Sequence, residues 1–543
     1  MNKSMRHNLL HVTALLFVSF SQAEGNIRTT RHSALQTRSA DLNIGTVATE
    51  AQEAKTTTSI FDLDPTHPTE KTLSEHKDTL HPETQTLPVV RSRKPWTLLV
   101  YMAANNNLHT FALQNLREMT RVGSNDNINV VVQFDGIGDR SIKRYLIENN
   151  NTRLISELSA EINSISGTPQ SLYQFIKWGY QTFPAEHLAI DLWNHGSGIK
   201  DPSIWGKVLM RRRDDFFNLN SNTKMFELDR RLDLNSNNNE NELSEDTRNL
   251  FSELTLAILR DRGIAFNDSE EVYIDNQQLR AVLDNVCRYV LIDKKIDVVF
   301  MDACHMGMVE LASKLRHFAN YMVASAEVEP GRGYNYEYLL LPFSQSALTP
   351  RAFALHGVRA YEKEYRSSHA DYTQAAVELS SFLEVEKTLT NLGKTLNDGL
   401  NKTESRRIFD LLKVTRLSSK YTTEFYDPDY IDAGHFLASI MKKSAEILAT
   451  HTSSLDAEQR TILETIKTQS ELTYGALTTS IIAETHGNNL SMSHGLGLFF
   501  PKRNIHLSYL NCSFDKKTAW STFLARFLNR LRSERNALQE SAA

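Results

Sequence analysis

The sequence predicts an α/β fold in which a mostly parallel sheet is flanked by helices and followed by a largely helical C-terminal region. From residue 96 onward, short apolar runs alternate with segments that have the apolar spacing of helices. This order is typical of parallel strands joined by crossover helices. After Pro350 the spacing becomes mostly helical. We therefore expect a site at the carboxyl edge of the sheet, where open α/β sheets bind ligands.

The individual elements follow from this alternation. A Thr168-Pro169 pair opens one helix, since Thr is a good N-cap and Pro suits the first turn. We predict strands at 97–103, 129–134, 188–193, 298–301, 321–326 and, late in the chain, 495–500. We predict helices at 108–122, 276–289, 306–315, 379–400, 409–417, 436–448, 455–472 and 520–531.

Two of the predicted strands end in turns that carry reactive side chains. Cys304 follows the apolar run in the stretch IDVVFMDACHMGMVEL, and His195 follows the strand in LAIDLWNHGSG. If the two strands are neighbours, their turns lie side by side, and a Cys beside a His is what thiol catalysis needs. We expect the thiol to be exposed at the sheet rim, with the helix N-terminus that follows it favouring the thiolate.

Composition and the first residues limit the class of protein. The 543 residues are 41% hydrophobic and 23% charged, and the net charge of -5 gives no indication of nucleic-acid binding. Residues 1–23 combine basic residues, an apolar run and small residues before a cleavage position, which predicts a signal peptide. A membrane anchor would need about 20 apolar residues. We therefore expect a secreted or periplasmic protein with no membrane span after signal removal.

Two further segments lack sustained periodicity. Residues 24–94 are polar and predict a disordered linker or propeptide. The stretch near 199–271 is a polar insertion that contains the Arg211-Arg212-Arg213 run. Within it, residues 233–244 faintly resemble a calcium loop but lack its Gly and Glu, so a solvated linker is preferred. We predict no cofactor and no metal, with calcium left as an open alternative.

Five short sequence segments, in this order along the chain, resemble the clostripain family of cysteine endopeptidases, in the caspase and gingipain clan. They are WTLLVYMAANNNL, DLWNHGSG, MDACHMGMVELA, ASAEVEPGRGYNYEYL and SHGLGLFFP. The resemblance implies a caspase-like sheet, with a catalytic domain at 95–345 and a mostly helical region at 346–543. It also implies peptide or protein substrates, while the oligomeric state stays undetermined.

The resemblance also assigns roles to residues. Cys304 would attack a peptide carbonyl to form a thioacyl-enzyme, and His195 would accept the thiol proton or pair with the thiolate. Main-chain N–H groups of Gly196 and Cys304 would form the oxyanion hole. Since relatives are activated by cleavage soon after the catalytic His, the expected processing residues are Arg211, Arg212 and Arg213.

Substrate specificity is where the sequence departs from the family. Asp302 matches an acidic residue that shapes a pocket for Arg or Lys before the cut. Where relatives carry Pro-Gly-Asp-Gly, this chain has Arg332 in place of the Asp. Arg332 would repel a basic side chain if it pointed into the pocket. Alternatively it folds outward or pairs with one of the acidic groups nearby, which are Glu327, Glu329 and Asp302.

Other interpretations of the same residues compete with this one. Ser197 does not sit in a Gly-x-Ser-x-Gly elbow, because position 195 is His. His305 is the rival base, but adjacent side chains on a tight turn diverge. Cys287 and Cys512 either pair or are both buried thiols, and we favour buried thiols. The alternative function is a catalytically inactive caspase-like protein that binds partners at a surface.

Overall fold

The computed structural model describes most of the chain after residue 92. The described residues are 93–138, 141–159, 165–200, 217–220, 225–228, 264–267, 270, 272–401, 406–451, 453–510, 514 and 518–542. Several predictions lie outside them: the signal peptide at 1–23, nearly all of the linker at 24–94, the processing residues 211–213, the calcium-loop resemblance at 233–244, and Cys512.

The strands and helices are numbered here in chain order. The strands are β1 (Lys94–Ala104), β2 (Ile128–Gly136), β3 (Ser141–Glu148), β4 (Asn151–Ser159), β5 (Ala185–Trp193), β6 (Phe217–Asn220), β7 (Met225–Leu228), β8 (Ile264–Asn267), β9 (Val272–Ile274), β10 (Ile296–Asp302), β11 (Ala319–Ala324), β12 (Thr373–Glu378), β13 (Tyr430–Asp432), β14 (Ile481–His486) and β15 (Gly497–Phe499). The helices are α1 (His109–Thr120), α2 (Pro169–Thr182), α3 (Asn276–Asn285), α4 (Val309–Leu315), α5 (Tyr336–Leu340), α6 (Pro350–Tyr365), α7 (Phe382–Asn401), α8 (Arg406–Leu417), α9 (Ala433–Thr450), α10 (Ala457–Ser480), α11 (Leu507–Leu510) and α12 (Trp520–Ala542).

Nine of these strands form one mixed sheet in the order β14-β12-β11-β10-β5-β1-β2-β3-β4. The central strands β11, β10, β5, β1 and β2 are mutually parallel, and the outer strands join by antiparallel pairing. This confirms the predicted mostly parallel sheet with flanking helices. Because β5 lies between β1 and β10, the turns after β5 and β10 meet at the middle of the carboxyl edge.

The period-2 alternation of each strand divides the core between the two faces of the sheet. On β1, Leu99 and Tyr101 face one cluster of buried side chains, whereas Leu98 and Val100 face another. The first cluster includes side chains from α2, α3, α4 and the helices of the C-terminal half. The second includes α1, α5 and α6. Helices therefore cover both faces, as the near-continuous apolar strands require.

The outer strands differ from the sequence-based expectation. β3, β4, β12 and β14 were not predicted, because they are partly exposed edge strands or are embedded between helical segments. β12 and β14 come from the region after residue 346 and complete one side of the sheet. The predicted late strand is shorter than expected, and β15 pairs with β13 outside the main sheet. Among the helices of the described residues, none has the length and apolar character needed to cross a membrane.

Candidate active site

The turns after β5 and β10 lie in direct contact, as the strand order requires. Asp302 at the end of β10 pairs in register with Trp193 at the end of β5. The next N–H along the chain, that of Asn194, donates to the Asp302 carbonyl at 3.1 Å. A Cβ on Gly196 would stand 2.3 Å from the Cys304 carbonyl oxygen, so only glycine fits there. The prediction that these two turns are adjacent is thus confirmed by the fold.

A small cavity lies where these turns meet the loop after β11. Its volume is about 20 Å³, room for little more than one water molecule. The ionisable or nucleophilic side chains among its lining residues are those of His195, Cys304, Asp302 and Glu329. The structure therefore brings the predicted nucleophile, base and pocket acid to one cavity, together with an acidic residue that the sequence did not single out as a site residue.

The Cys304 thiol is covered by the loop that follows β11. Its side chain is buried, with 3% of the residue exposed, and Val328 packs against it. The main-chain N–H of Glu329 donates to Sγ at 3.2 Å, and Sγ lies 3.8 Å from the Glu329 carbonyl oxygen. Burial raises the pKa of the thiol, and the neighbouring Glu329 carboxyl raises it further. In this conformation the thiol is neutral.

The sequence analysis expected an exposed thiol with a helix N-terminus directly after it. Both expectations are wrong. Helix α4 begins only at Val309, because the residues after Cys304 bind neighbouring loops in place of starting a helix. Gly307 donates its N–H to the Ser325 carbonyl at 2.7 Å, and Met308 forms a bridge to Gly497. The exposure is lost because a loop more than twenty residues downstream folds over the sulfur.

His195 is oriented by an asparagine that the sequence analysis did not identify. The His195 Nε2 atom lies 2.6 Å from Oδ1 of Asn107, in the loop between β1 and α1. An amide oxygen only accepts, so this contact places the ring proton on Nε2 and leaves Nδ1 as the basic nitrogen. Asn107 belongs to the word WTLLVYMAANNNL, but three consecutive asparagines gave no signal as to which one would reach the histidine.

His305, the rival base, is directed elsewhere. It adopts a positive φ of 60°, and its Nδ1 lies 2.9 Å from the Ala326 carbonyl oxygen. Its ring packs edge-on against Tyr430 at 5.3 Å between centroids. Burial lowers the pKa of the imidazole. His305 therefore anchors the loop after β11 and does not line the cavity.

A cluster of carboxyl groups forms the opposite wall of the cavity. The Tyr336 hydroxyl lies 2.5 Å from Asp191 Oδ2 and 2.8 Å from Asp302 Oδ2. A hydroxyl has one proton to donate, so one of these two carboxyls must carry a proton of its own. Burial, followed by the charge on Asp302, raises the pKa of Asp191 to about 8. Below this pKa the protonated Asp191 leaves the negative charge to Asp302, to which the Tyr336 hydroxyl donates at 2.8 Å.

Glu329 extends the cluster on the other side of Asp302. The two carboxyls interact directly, and burial followed by the charge of Asp302 raises the pKa of Glu329 well above its usual range. Asp302 also accepts from the Tyr334 N–H at 3.2 Å, and Gly333 stands where a Cβ would collide with its carboxylate. The donors converge on Asp302, so the charge of the cluster is concentrated on the carboxylate that lines the cavity.

Arg332 points away from this wall. Its Nη1 atom donates to Glu364 Oε1 on α6 at 2.9 Å, and its carbonyl oxygen accepts from Asn115. Pro330, Gly331 and Gly333 line the cavity, whereas Arg332 does not. Its partner is none of the three acids that the sequence suggested. Glu364 was missed because it lies on a helix 32 positions away, with no motif linking the two.

The end of the long insertion is fastened beside His195. The Asn194 side chain accepts from the Phe266 N–H at 2.9 Å and donates to the Phe266 carbonyl at 3.0 Å. Asn106 donates to the same carbonyl at 2.9 Å. Strand β8 thus enters the rim of the site through main-chain contacts.

The remaining candidates from the sequence are the second thiol and a metal site. Cys287 is a free, buried thiol, and burial raises its pKa to about 11. Among the described residues, no group of three or more His, Cys, Asp or Glu side chains is arranged to hold a metal ion. The cofactor prediction stays a prediction.

Comparison with known proteins identifies the family. The sequence profile of the clostripain family matches residues 100–233 and 255–526, the greater part of the chain. The chain belongs to the clostripain family. As a clostripain-family member it is a cysteine endopeptidase, and its substrates are peptides or proteins. No sequence among curated proteins matches it.

Solved structures similar to this clostripain-family chain include three bacterial proteases. One is an inactive zymogen C11 protease from Parabacteroides distasonis, with a TM-score of 0.46 and 16% identity over 79% of this chain and 99% of that one. Another is a secreted C11 cysteine protease from Bacteroides thetaiotaomicron in complex with an irreversible peptide inhibitor, with a TM-score of 0.44 and 15% identity over 79% and 99%. The third, the Bacteroides thetaiotaomicron protease iotapain, gives 0.47 and 11% over 80% and 100%.

Proposed function

We propose that the chain is an exported endopeptidase in which Cys304 is the nucleophile and His195 is the general base. The observation that supports this most strongly is that the turns after β5 and β10, which carry these residues, line one cavity with Asp302. Because the thiol is buried and neutral, its proton passes to His195 as the sulfur attacks the peptide carbonyl. Asn107 keeps the ring proton on Nε2, so Nδ1 is the nitrogen that receives it.

The following steps use the same groups. The sulfur forms a bond to the carbonyl carbon. The peptide C–N bond then breaks as the imidazolium of His195 gives its proton to the leaving amine, and the acyl group remains on the sulfur as a thioester. Water activated by His195 then hydrolyses the thioester and regenerates the thiol. The main-chain N–H groups of Gly196 and Cys304 are proposed to stabilise the oxyanion, since Gly196 lies against the Cys304 main chain.

We propose that the enzyme cuts after Arg or Lys. Asp302 carries the charge of a buried wall, and Glu329 stands beside it. Arg332, the residue that departs from the family pattern, pairs with Glu364 and does not line the cavity. The acidic side chains of the cavity are therefore not neutralised by it. A guanidinium or ammonium group that reached Asp302 would form a charge-assisted hydrogen bond in a desolvated site.

Labelling with a peptide chloromethyl ketone tests the nucleophile. We expect a reagent with Arg before the reactive group to label Cys304 in the wild type, and we expect no labelling in Cys304→Ala and slow labelling in His195→Ala. A matched control is Cys287→Ala, which removes the other described thiol and should label normally. No labelling of the wild type, even after trimming of the insertion, would favour an inactive protein that binds partners.

Maturation and export complete the proposal. We propose that residues 1–23 direct export and are removed, and that cleavage at Arg211, Arg212 or Arg213 activates the enzyme. N-terminal sequencing of protein recovered from the cell envelope and the medium tests both points. A new N-terminus after Ala23 and another after one of the three arginines is expected. Protein in the medium or envelope that still begins at Met1 would contradict removal of residues 1–23. Activity without any cut in the insertion would contradict activation by cleavage.

A further inference from the structure

One turn of the C-terminal half contacts all three loops that build the cavity. This turn, residues 425–430, connects the segment after α8 to strand β13 and is called here the 425–430 turn. It touches the loop after β5, which carries His195, the loop after β10, which carries Cys304, and the loop after β11, which covers the thiol. No catalytic side chain lies on it.

The turn is built to hold its shape. The Asp429 N–H donates to Asp427 Oδ1 at 3.0 Å, and the Tyr430 N–H donates to the Asp427 carbonyl at 2.9 Å. Behind it, the fully buried Arg416 donates to the Pro428 carbonyl at 2.7 Å and to the Phe500 carbonyl at 2.6 Å. A guanidinium that holds two main-chain carbonyls in fixed positions keeps the turn rigid.

Lys200 is the strongest link between the turn and the His195 loop. Its ammonium group donates to Asp427 Oδ2 at 2.7 Å and to Asp429 Oδ2 at 2.9 Å, with only 12% of the side chain exposed. Lys200 is the last described residue before the insertion, five positions after His195. An ion pair this well shielded from water is screened much less than a surface pair. The loop is therefore fixed where the insertion begins.

Tyr430 reinforces the same link through its hydroxyl. The hydroxyl donates to the Ser197 carbonyl at 2.6 Å and accepts from the Lys200 N–H at 3.2 Å. At Gly198, whose φ is +64°, a Cβ would come within 3.1 Å of the Tyr430 ring. The close approach of the ring to the Gly-Ser-Gly main chain leaves the His195 loop little freedom to shift.

The turn holds the loop over the thiol as well. The Tyr426 N–H is 3.1 Å from both carboxyl oxygens of Glu327. Glu327 is two positions before Glu329, whose main chain contacts the sulfur. On the third loop, the His305 ring packs against Tyr430. One rigid turn therefore determines the relative placement of the base, the nucleophile and the covering loop.

We propose that the 425–430 turn is a positioning element of the active site and that Lys200 is its main positioning residue, keeping His195 in place when the adjacent insertion is cut. This inference rests on the proposed function. Before cleavage, the chain beyond Lys200 continues into the insertion. After cleavage at Arg211 to Arg213, the chain beyond Lys200 leads to a free end, and the ion pair, together with the Tyr430 contacts, limits movement of the His195 loop.

The test compares Lys200→Met with the wild type after complete cleavage of the insertion, using a fluorogenic peptide with Arg before the cut. We expect kcat of the cut enzyme to fall about ten- to a hundredfold with KM little changed, because a misplaced base slows chemistry more than binding. Lys200→Arg should recover part of the rate, because it keeps the charge.

Controls separate this inference from the proposed function. Lys467→Met removes an exposed Lys–Glu pair on α10 and should leave kcat unchanged. If Lys200→Met does not fold, Asp427→Asn and Tyr430→Phe weaken the same link and should lower kcat in the same manner. Equal kcat for wild type and the three variants would overturn the positioning role. An inactive wild type would instead contradict the proposed function.

Discussion

The two walls of the cavity are both buried, yet they hold their chemical groups by different means. The sulfur of Cys304 contacts main-chain groups of Glu329, which belong to a loop. The carboxylate of Asp302 is held by the hydroxyl of Tyr336 and by a neighbouring carboxyl, with Asp191 behind the tyrosine. The thiol wall is thus held by main-chain contacts of one loop, which the 425–430 turn fastens. The carboxyl wall is held by side chains as well, so its charge depends on which of its acids carries a proton.

This difference separates two functions within one small site. The thiol wall keeps the sulfur neutral and buried beneath the loop after β11. In the carboxyl wall burial raises the pKa of all three acids, Asp191, Asp302 and Glu329, and the hydrogen bonds that Asp302 accepts favour ionisation of that one. If the two walls act independently, a substitution in one should leave the function of the other unchanged.

The largest effect should come from the carboxyl wall. We expect Asp302→Asn to lower kcat/KM for a substrate with Arg before the cut by about a hundredfold or more, because the buried charge that pairs with the substrate is lost. Alkylation of Cys304 by iodoacetamide should be unchanged, since this small reagent does not use the pocket. A parallel loss of both would show that the walls are coupled.

The second largest effect should come from the side of the cavity that holds the thiol and His195. We expect Asn107→Ala to lower kcat about tenfold or more with little change in KM, because His195 loses the acceptor that selects its tautomer. The preference for Arg or Lys in a peptide library should not change. Asn105→Ala, two positions away, is a comparison variant in the same loop. A changed residue preference in Asn107→Ala would contradict the separation.

The protonation of the carboxyl wall predicts a pH-dependent stability. The pKa of Asp191 is about 8 when folded and near 3.8 when unfolded, so the folded chain holds a proton that the unfolded chain releases. The resulting stabilisation is complete below pH 4 and is lost as the pH rises to about 8. Across this range Asp191 contributes a slope of at most about 1.4 kcal/mol per pH unit.

Asp191→Asn removes this titration while keeping a donor toward Tyr336. We expect the free energy of unfolding of the variant to fall less steeply than that of the wild type between pH 5 and pH 8, as measured by denaturant unfolding. Glu378→Gln, a half-buried residue at the end of β12, provides the reference slope. Identical slopes for wild type and Asp191→Asn would mean that Asp191 is ionised in the fold.

The smallest effect should come from Arg332. Because its side chain pairs with Glu364 outside the cavity, we expect Arg332→Asp to leave the preference for basic residues in place and to change kcat/KM for an Arg substrate by only a few-fold. A fluorogenic peptide library varied at the residue before the cut measures both. Glu364→Gln, which breaks the same pair from the other side, should behave alike. A large gain in basic preference in Arg332→Asp alone would place that arginine in the pocket.

The sequence predicted those parts of the molecule that depend on local pattern. The apolar runs of β1, β5 and β10 and the turns that follow them are local, so the meeting of the His195 and Cys304 turns could be foreseen. The burial of the thiol could not, because it depends on a loop whose course is determined by Thr373 and Tyr426. The role of Tyr336 beside Asp191 depends on a contact across 145 positions.

The outer strands show the same limit. β12 has the mixed sequence TQAAVE, which fits a short helix or strand equally well, and only its pairing with β11 decides between them. The partner of Arg332 was missed for a related reason, since an ion pair between a loop and a distant helix leaves no periodic trace.

The hydrogen bonds between the Asn194 side chain and the Phe266 main chain have a consequence for protein engineering. Together with the Lys200 ion pair, they fasten both ends of the 201–263 segment through bonds made by residues outside that segment. The segment is therefore a natural cassette. If cleavage of this segment activates the enzyme, as proposed, a recognition sequence for an unrelated protease placed there would let the addition of that protease start the activity.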